Sequence, residues 1–162
     1  MADTPSSSQI DLIAGQHPDG SPVMEKLQVL ALEDGNFQLE RSPAFMRGLA
    51  RGDLIAVDGD KQTHTLVRRS GNLCIRVIAR ANISDIATEL TPALEKMGST
   101  LDFENPRMLV FSIHVSCGFS AIEDVLNRYS GQDGLSTWFY GNVYDQDMRP
   151  LNWWEEILKG EN

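Results

Sequence analysis

The sequence predicts an α+β fold in which a small N-terminal β-sheet or partial barrel precedes a ferredoxin-like split βαβ sandwich and a short C-terminal helix. Short alternating runs separated by tight-turn signals fill residues 24–69, which is typical of a small curled sheet. From residue 73 the order changes to strand, helix, strand, strand, helix, strand, the split βαβ pattern. With 162 residues, 41% of them hydrophobic, the chain is large enough to bury a core.

Composition divides the chain into four parts. Residues 1–22 are rich in Pro, Ser and Gly and are predicted to be a flexible tail. Residues 23–71 form the predicted β subdomain, and residues 72–145 the ferredoxin-like α+β subdomain. Residues 146–162 carry the C-terminal helix. A continuous interface between the two subdomains would make them one domain.

The β subdomain is built from alternating runs and their turns. Apolar Leu27, Val29 and Ala31 occupy every second position of the first run, as in a strand with one buried face. Acid-Gly and Gly-Asn pairs mark hairpin turns at 33–36 and 58–60. The remaining strands are predicted at 37–41, 54–57 and 63–69.

The first helix of the α+β subdomain follows a strand at 73–81. Its apolar residues recur at helical spacing, and Gly98 is a suitable stop. Pro92 lies inside this pattern, where it removes a backbone hydrogen bond. Either a kink or a second short helix, with Thr91 as its cap and Pro92 in its first position, would accommodate it. The apolar residues are Ile83, Ile86, Ala87, Leu90, Leu94 and Met97.

Three strands and two helices complete the prediction. Strands are expected at 101–104, 108–117 and 136–144. Ser120 and Glu123 have the spacing of a capping box that opens the second helix. A terminal helix at 152–159 would be capped by Asn152. Its apolar residues are expected to dock on the body: Trp153, Trp154, Ile157 and Leu158.

One face of the predicted sheet is free of helices and is the candidate ligand or partner face. Side chains alternate along a strand, so residues from three strands are expected to converge there. Their charge and aromatic rings would suit an anionic aromatic molecule, which makes a small-ligand-binding regulatory module one functional hypothesis. The alternative is that the N-terminal strands or the terminal helix cover this face. The residues are Arg76, Arg80, Ser112, His114, Trp138 and Tyr140.

The formal net charge of −9 restricts the class of partner. Nucleic-acid binding needs Lys and Arg against phosphates, so it is not expected. A basic protein partner is favoured, and an acidic inhibitor of the immunity or antitoxin type is the leading hypothesis. Many intracellular proteins are simply acidic, which is the plainer interpretation. Candidate carboxylates lie in acidic turns and the terminal helix: Asp58, Asp60, Asp145, Asp147, Glu155 and Glu156.

No catalytic, metal or cofactor pattern is recognisable. Cys117 and His114 are three positions apart on a predicted strand and would point to opposite faces, so they do not form a nucleophile–base pair. Neither the cysteines nor the histidines have metal-ligand spacing. No apolar run approaches the roughly 20 residues of a membrane span, and no secretory signal is evident. A cytoplasmic protein without enzymatic activity is therefore expected, with its oligomeric state open.

Several short blocks carry a family resemblance. Ser-Pro-x-Phe occupies positions 42–45, and Gly-Leu-Ala-x-Gly-Asp positions 48–53, after Gly-Asn-Phe-Gln-Leu at 35–39 and before Ser-Gly-Asn at 70–72. With these blocks the chain resembles a bacterial family of small stand-alone proteins known only as a domain of unknown function, over roughly residues 23–143. The resemblance implies no activity.

Overall fold

The computed structural model describes residues 6–131 and 134–159, and within them the chain is mixed α+β with two antiparallel sheets and three short helices. This confirms the predicted α+β class. The strands are β1 (Ser6–Gln16), β2 (Pro22–Ala31), β3 (Phe37–Leu39), β4 (Leu54–Asp58), β5 (Thr63–Arg68), β6 (Asn72–Ala79), β7 (Thr100–Asn105), β8 (Met108–His114) and β9 (Ser136–Tyr140). The helices are α1 (Ile83–Glu95), α2 (Phe119–Tyr129) and α3 (Trp154–Lys159).

The first sheet has the strand order β1-β2-β3-β4-β5 and is not closed by a ladder between its outer strands. Its curl nevertheless brings the two edges together, since the Ile13 N–H donates to the Gln62 carbonyl at 3.0 Å. Alternate residues of the strands face one core, as the period-2 pattern requires. That core contains Leu12, Leu27, Val29, Leu39, Met46, Leu49 and Ile55.

The prediction of a flexible tail over residues 1–22 is wrong for the part of that range that the structure describes. Ser6–Gln16 forms β1, which pairs antiparallel with β2 along its length. The pairing buries Leu12 to 1% exposure, and Asp19 accepts a hydrogen bond from the Ser21 N–H in the turn. Cross-strand pairing and apolar burial therefore outweigh the Ser- and Gly-rich composition. Residues 1–5 lie outside the described part of the chain.

The second sheet has the order β7-β8-β6-β9, with every neighbouring pair antiparallel. Helices α1 and α2 cover one of its faces, where Leu73, Ile75 and Val77 of β6 belong to the same core as Leu90 and Ile122 of the helices. Helix α1 continues through Pro92 as one helix, so a second helix does not begin there.

The opposite face of this sheet is covered by the segment that joins β3 to β4, which we call the connecting segment (residues 40–53). Ala44 and Ala50 of this segment pack with Cys74 and Val110 of the sheet. The helix-free face predicted as an open binding surface is therefore largely closed by the chain itself, although the cover is this loop and not the N-terminal strands or the terminal helix that the sequence offered as the alternative.

Side chains from three strands fix the backbone of the connecting segment. The Glu25 carboxylate of β2 accepts hydrogen bonds from the N–H groups of Ala44, Phe45 and Met46. From the other side, the buried Arg76 guanidinium of β6 donates to carbonyls of the same segment, that of Met46 included. Side-chain acceptors on one side and donors on the other thus satisfy the backbone of a loop that does not pair with a neighbouring strand.

Asp102 of β7 adds a third anchor to the connecting segment. Its buried carboxylate accepts from the Ser42 N–H at 2.8 Å and from Arg51 Nη1 at 3.2 Å. Burial raises the pKa of Asp102 from its ordinary value, while the hydrogen bonds from Ser42 and the charge of Arg51 act in the opposite direction. The two sheets are consequently joined by polar contacts as well as by apolar packing.

The start of α2 differs from the predicted capping box. Strand β8 ends at His114, a 3-10 turn follows over Val115–Cys117, and α2 begins at Phe119 without a side-chain cap. Ser120 is already inside the helix, so its hydroxyl does not occupy the capping position. Glu123 therefore does not cap the helix, and its carboxylate accepts a hydrogen bond from the Tyr140 hydroxyl instead.

The last strand is shorter than the predicted 136–144, because β9 ends at Tyr140. Beyond it the Asn142 side chain continues the ladder, accepting from the Cys74 N–H and donating to the Asn72 carbonyl, both at 2.9 Å. Trp153, Trp154 and Ile157 pack against the helix-side core as predicted, whereas Leu158 remains 37% exposed. No helix among the described residues is both long enough and apolar enough to cross a membrane.

Candidate functional site

A cleft of about 500 Å³ lies along the outer edge of β9 and is the best candidate site. We call it the β9 cleft. Aromatic rings, two carboxylates and two guanidinium groups line it, the mixture expected where an apolar pocket fixes a ligand through a few polar groups. Its lining residues are Arg47, Arg76, Glu123, Trp138, Phe139, Tyr140, Gly141, Tyr144, Asp145 and Met148.

The β9 cleft straddles the strand edge rather than lying on one face of the sheet. Trp138 and Tyr140 pair with Val77 and Ile75, so their side chains lie on the helix-covered face. Phe139 pairs with Arg76 and lies on the opposite face. The prediction that Trp138 and Tyr140 share the helix-free face with Arg76 is therefore wrong, but all three residues line the same cleft.

Two of the aromatic rings are held in place by hydrogen bonds to α2. Trp138 Nε1 donates to Asn127 Oδ1 at 2.8 Å, and the Tyr140 hydroxyl donates to Glu123 Oε2 at 2.9 Å. The rings meet edge to face with centroids 5.2 Å apart. Burial, together with the hydrogen bond to Glu123, raises the pKa of Tyr140, which keeps its hydroxyl a neutral donor.

The opposite wall of the β9 cleft comes from the loop after β9. Tyr144 forms a bridge with Pro150, and Asp145 Oδ1 accepts from the Asp147 and Arg149 N–H groups, which closes a tight turn. Tyr144 is 41% and Met148 67% exposed, so this wall presents apolar surface to solvent. An exposed apolar surface next to a cleft is typical of an interaction site.

The two arginines of the β9 cleft differ in what remains available to a ligand. Arg76 is 3% exposed, and its terminal nitrogens donate to carbonyls of the connecting segment. Arg47 is exposed, and its side chain has no hydrogen bond or ion pair with the described residues. The charges that a ligand can reach are therefore those of Glu123, Asp145 and Arg47.

Three residues of the predicted face do not line the cleft. Arg80 is exposed at the end of β6, and Ser112 is buried beside Cys74 in the β6–β8 ladder. His114 Nδ1 lies 2.7 Å from Ser116 Oγ, and its Nε2 fills the space that a Cβ on Gly71 would need. Gly71 has a φ of 98°, so both its conformation and its contact require glycine.

Of the six acidic candidates, only Asp145 lines the β9 cleft. Asp58 shapes its own turn, since Oδ1 accepts from the Asp60 and Lys61 N–H groups. Glu155 and Glu156 lie in the first turn of α3 and are exposed. Asp147 serves through its N–H in the Asp145 turn. These acids contribute to the overall negative field without forming part of the cleft.

Sequence reasoning missed six residues of the cleft, Gly141 among them. The spacing to Ser120 predicts a capping role for Glu123, and Phe139 alternates out of phase with Trp138 and Tyr140, which the sequence does identify. Arg47, Tyr144 and Met148 come from loops, whose path no periodicity predicts. The run of consecutive uncharged and aromatic residues in β9 is the one signal that could have directed attention to this edge.

A larger groove, of about 800 Å³, follows the seam between the two sheets. Part of its polar lining serves the fold, since Arg51 pairs with Asp102 and Gln38 Nε2 donates to the Gly52 carbonyl. Phe103 is the one aromatic residue of its lining, whereas the β9 cleft has several aromatic rings, two of them held by hydrogen bonds, so we give the β9 cleft preference.

Neither cysteine is placed for chemistry. Cys74 is fully buried, and burial raises the pKa of its thiol to about 11. The Cys117 thiol lies 3.2 Å from the Met97 carbonyl, and both cysteines are free. Among the described residues, no group of three or more His, Cys, Asp or Glu side chains is arranged to hold a metal ion.

Comparison with known proteins supplies the family. The model of a domain of unknown function, DUF4265, matches residues 25–138, so the chain belongs to that family, which confirms the predicted resemblance to a family of unknown function. The fold is similar to the crystal structure of a hypothetical protein from Neisseria gonorrhoeae, with a TM-score of 0.68 and 19% identity. The match covers 86% of this chain and 96% of that one. None of the curated proteins matches the chain in sequence.

Proposed function

We propose that this DUF4265 protein is a binding protein that inhibits a basic protein partner, as immunity proteins and antitoxins do, and that it contacts the partner through the β9 cleft. The observation that carries the proposal is the convergence of Trp138, Tyr140 and Tyr144 with the carboxylates of Glu123 and Asp145 in one cleft. Such a cleft suits the side chain of a lysine or arginine.

Aromatic rings and carboxylates recognise a basic side chain by two complementary means. The ring faces attract a cation and cover its apolar stem, while the carboxylates pair with its charged end. Because Trp138 and Tyr140 are fixed by their bonds to α2, little side-chain entropy is lost when a partner binds. Fixed aromatic residues in a partly desolvated pocket are typical anchors of protein interfaces.

The overall charge supports a basic partner. With 23 acidic and 14 basic residues, the chain carries a formal charge of −9, which accelerates encounter with a positively charged protein at low salt. The exposed turns around Asp58 and the first turn of α3 extend this field beyond the cleft. Arg47 opposes it locally, and removal of its charge should strengthen rather than weaken binding of the partner.

The test is affinity capture of the tagged full-length protein from its own cells at low and high salt, with mass spectrometry of the bound material. We expect a stoichiometric basic protein that is released at high salt. Glu123→Gln keeps the Tyr140 hydrogen bond through the amide oxygen but removes the charge, and it should weaken the complex about tenfold. Arg47→Ala should tighten it.

Glu95→Gln is the matched control, since it makes the same change in charge at an exposed position of α1 outside the cleft. It should alter the dissociation constant less than twofold. Equal effects of the Glu95 and Glu123 changes would mean that only the net charge matters and would exclude the cleft. Failure to recover any basic partner would contradict the proposed function itself.

A small-ligand-binding module is the second candidate, and the size of the cleft favours it, because about 500 Å³ lies within the range of small-molecule pockets. The anionic ligand expected from sequence loses its support, since Arg76 is engaged and Arg80 and His114 lie elsewhere. An organic cation with an apolar body fits the available groups better. A thermal-shift screen of aromatic and alkyl amines, repeated with Trp138→Ala, would detect it.

The four-stranded sheet and its two helices are, we propose, ferredoxin-like. Numbered within the split βαβ unit, the strand order is 2-3-1-4, and both helices contribute to the core on the same face. This order supports the ferredoxin-like class predicted from the sequence.

A further inference from the structure

One side of β9 carries backbone groups without partners. The register with β6 and two bonds that flank it, Gly141 N–H to the Cys74 carbonyl at 2.8 Å and Arg80 N–H to the Leu135 carbonyl at 3.2 Å, fix which residues face inward. Antiparallel strands alternate hydrogen-bonded and non-hydrogen-bonded pairs, so Phe139 bonds to β6. The N–H and C=O groups of Trp138 and Tyr140 therefore point outward, and no described residue pairs with them.

The other sheet edges are protected in ways that β9 is not. Strand β7 has a bulge between Leu101 and Phe103 and carries acidic side chains, and β1 is bulged between Ile13 and Gly15. The β1 edge also meets the residue before β5 through the Ile13–Gln62 hydrogen bond, and β5 has a register shift between Leu66 and Arg68 and ends in the charged Arg68. Bulges, charges and cover are the usual means of preventing edge-to-edge pairing.

Strand β9 has neither a bulge nor a charged residue, and among the described residues the loop on the other side of the cleft forms no backbone hydrogen bond with its outer edge. Its sequence, Ser-Thr-Trp-Phe-Tyr, contains no charged residue, proline or glycine, and its register with β6 is regular. β-branched and aromatic residues also have the highest preference for extended structure. The edge that faces the β9 cleft is thus the one described sheet edge that is ready to accept a further strand.

We propose that an extended segment of the basic partner adds to the sheet as a fifth strand beside β9 and places a lysine or arginine side chain in the β9 cleft. Main-chain hydrogen bonds to Trp138 and Tyr140 would give affinity, and the cleft would select the side chain. This inference rests on the proposed function, because it specifies how the same site holds the same class of partner.

A basic partner suits this edge better than a second copy of the chain. Two copies would bring together two chains of charge −9, each with Glu123 and Asp145 beside the joined edges. Like charges oppose such an assembly, whereas a positively charged strand neutralises them.

The test uses random twelve-residue peptides displayed on phage and selected against the full-length protein. We expect enrichment of peptides in which lysine or arginine lies among β-branched residues, with binding lost in Trp138→Ala and retained in Glu95→Gln. The selected peptide is then synthesised in two forms, N-methylated at odd or at even positions. An added strand bonds to β9 through alternate residues only, so one form should lose at least about tenfold in affinity and the other little.

Amide hydrogen exchange provides a second readout on the protein itself. Peptide binding should slow exchange of the Trp138 and Tyr140 N–H groups, while the Phe139 N–H, already bonded to β6, should change least. Equal binding of the two N-methylated forms, or unchanged exchange at Trp138 and Tyr140, would overturn the added strand. If affinity capture still recovers a basic partner in that case, the proposed function stands and only this mode of docking fails. An absence of any enriched peptide would likewise count against an extended segment as the occupant.

Discussion

Replacement of Glu25 is the sharpest test of how the two sheets are joined. Its two carboxylate oxygens accept three backbone N–H groups, from Ala44 at 2.7 Å, Phe45 at 3.1 Å and Met46 at 2.7 Å. In Glu25→Gln one oxygen becomes an NH₂ group that faces a backbone donor. At least one short hydrogen bond to a charged group is lost, and a donor–donor contact takes its place.

The magnitude follows from the type of bond. A hydrogen bond to a charged group contributes about 1.5–3 kcal/mol to stability. Because Glu25 is only half-buried, water can relieve part of the loss, so we expect Glu25→Gln to lower the free energy of unfolding by about 2 kcal/mol. Glu25→Ala removes both oxygens, and the expected loss rises to about 3 kcal/mol.

Urea denaturation followed by circular dichroism measures both values, with an unchanged slope as evidence that the unfolded state is not altered. Glu40→Gln is the control, since Glu40 is also half-buried and carries the same charge but its carboxylate bonds to no described residue. It should change stability by less than about 0.5 kcal/mol. If the Glu25 and Glu40 variants are equally stable, the carboxylate does not hold the connecting segment, and our account of the junction is incorrect.

Three further predictions concern the buried groups near the cleft and junction. Gly141→Ala would place a Cβ 2.8 Å from the buried Cys74 Sγ and should cost about 1–3 kcal/mol in urea denaturation, whereas Gly59→Ala, with open space, should cost far less. An aromatic disulfide reagent should label Cys117 in the native protein and Cys74 only in urea, because Cys74 is fully buried with its thiol pKa raised to about 11. Burial also raises the pKa of Asp53 above 3.8, so its contribution to stability is complete below that pH and decreases as the pH rises through the folded-state pKa. The midpoint of urea unfolding should therefore fall less between pH 3 and pH 7 in Asp53→Asn than in the unsubstituted protein.

The elements with a strong periodic pattern could be predicted from the sequence. Alternate apolar residues of β6, Leu73, Ile75 and Val77, do face the helices, and Ile83, Ile86, Leu90 and Leu94 are the buried residues of α1. Burial of one face imposes these periods, so the sequence must carry them. Capping is less predictable: Ser120 has a suitable spacing to Glu123, yet Gly118 precedes the helix.

Strand β1 could not be predicted because its stability depends on tertiary contacts rather than on a pattern in its own sequence. Only Leu12 is fully buried in it, and the surrounding Ser, Gln and Gly residues are typical of a flexible tail. Its stability comes from the ladder to β2, a partner that lies beyond a turn and is not visible in the local composition.

Which residues of β9 face the helices could not be predicted from the sequence either. Trp138, Phe139 and Tyr140 are consecutive aromatic residues, so no apolar–polar alternation shows which of them faces the helices. A shift of one residue in register exchanges the two faces of a strand. The observed pairing of Tyr140 with Ile75 settles the choice, and the aromatic bonds to Asn127 and Glu123 then follow from the position of α2.

The cleft depends on where the chain leaves β9. The Gly141 carbonyl accepts from the Gly48 N–H rather than from β6, and the Asn142 amide completes the ladder in place of a backbone residue. These two contacts end the strand early and return the chain as the loop of Tyr144 and Asp145, which forms the second wall. Had β9 continued to residue 144, as the sequence predicts, these side chains would extend the sheet, and the outer edge would lack an opposite wall. The candidate site thus arises from a departure from regular structure, which is why the sequence identified only four of its ten lining residues and not their arrangement.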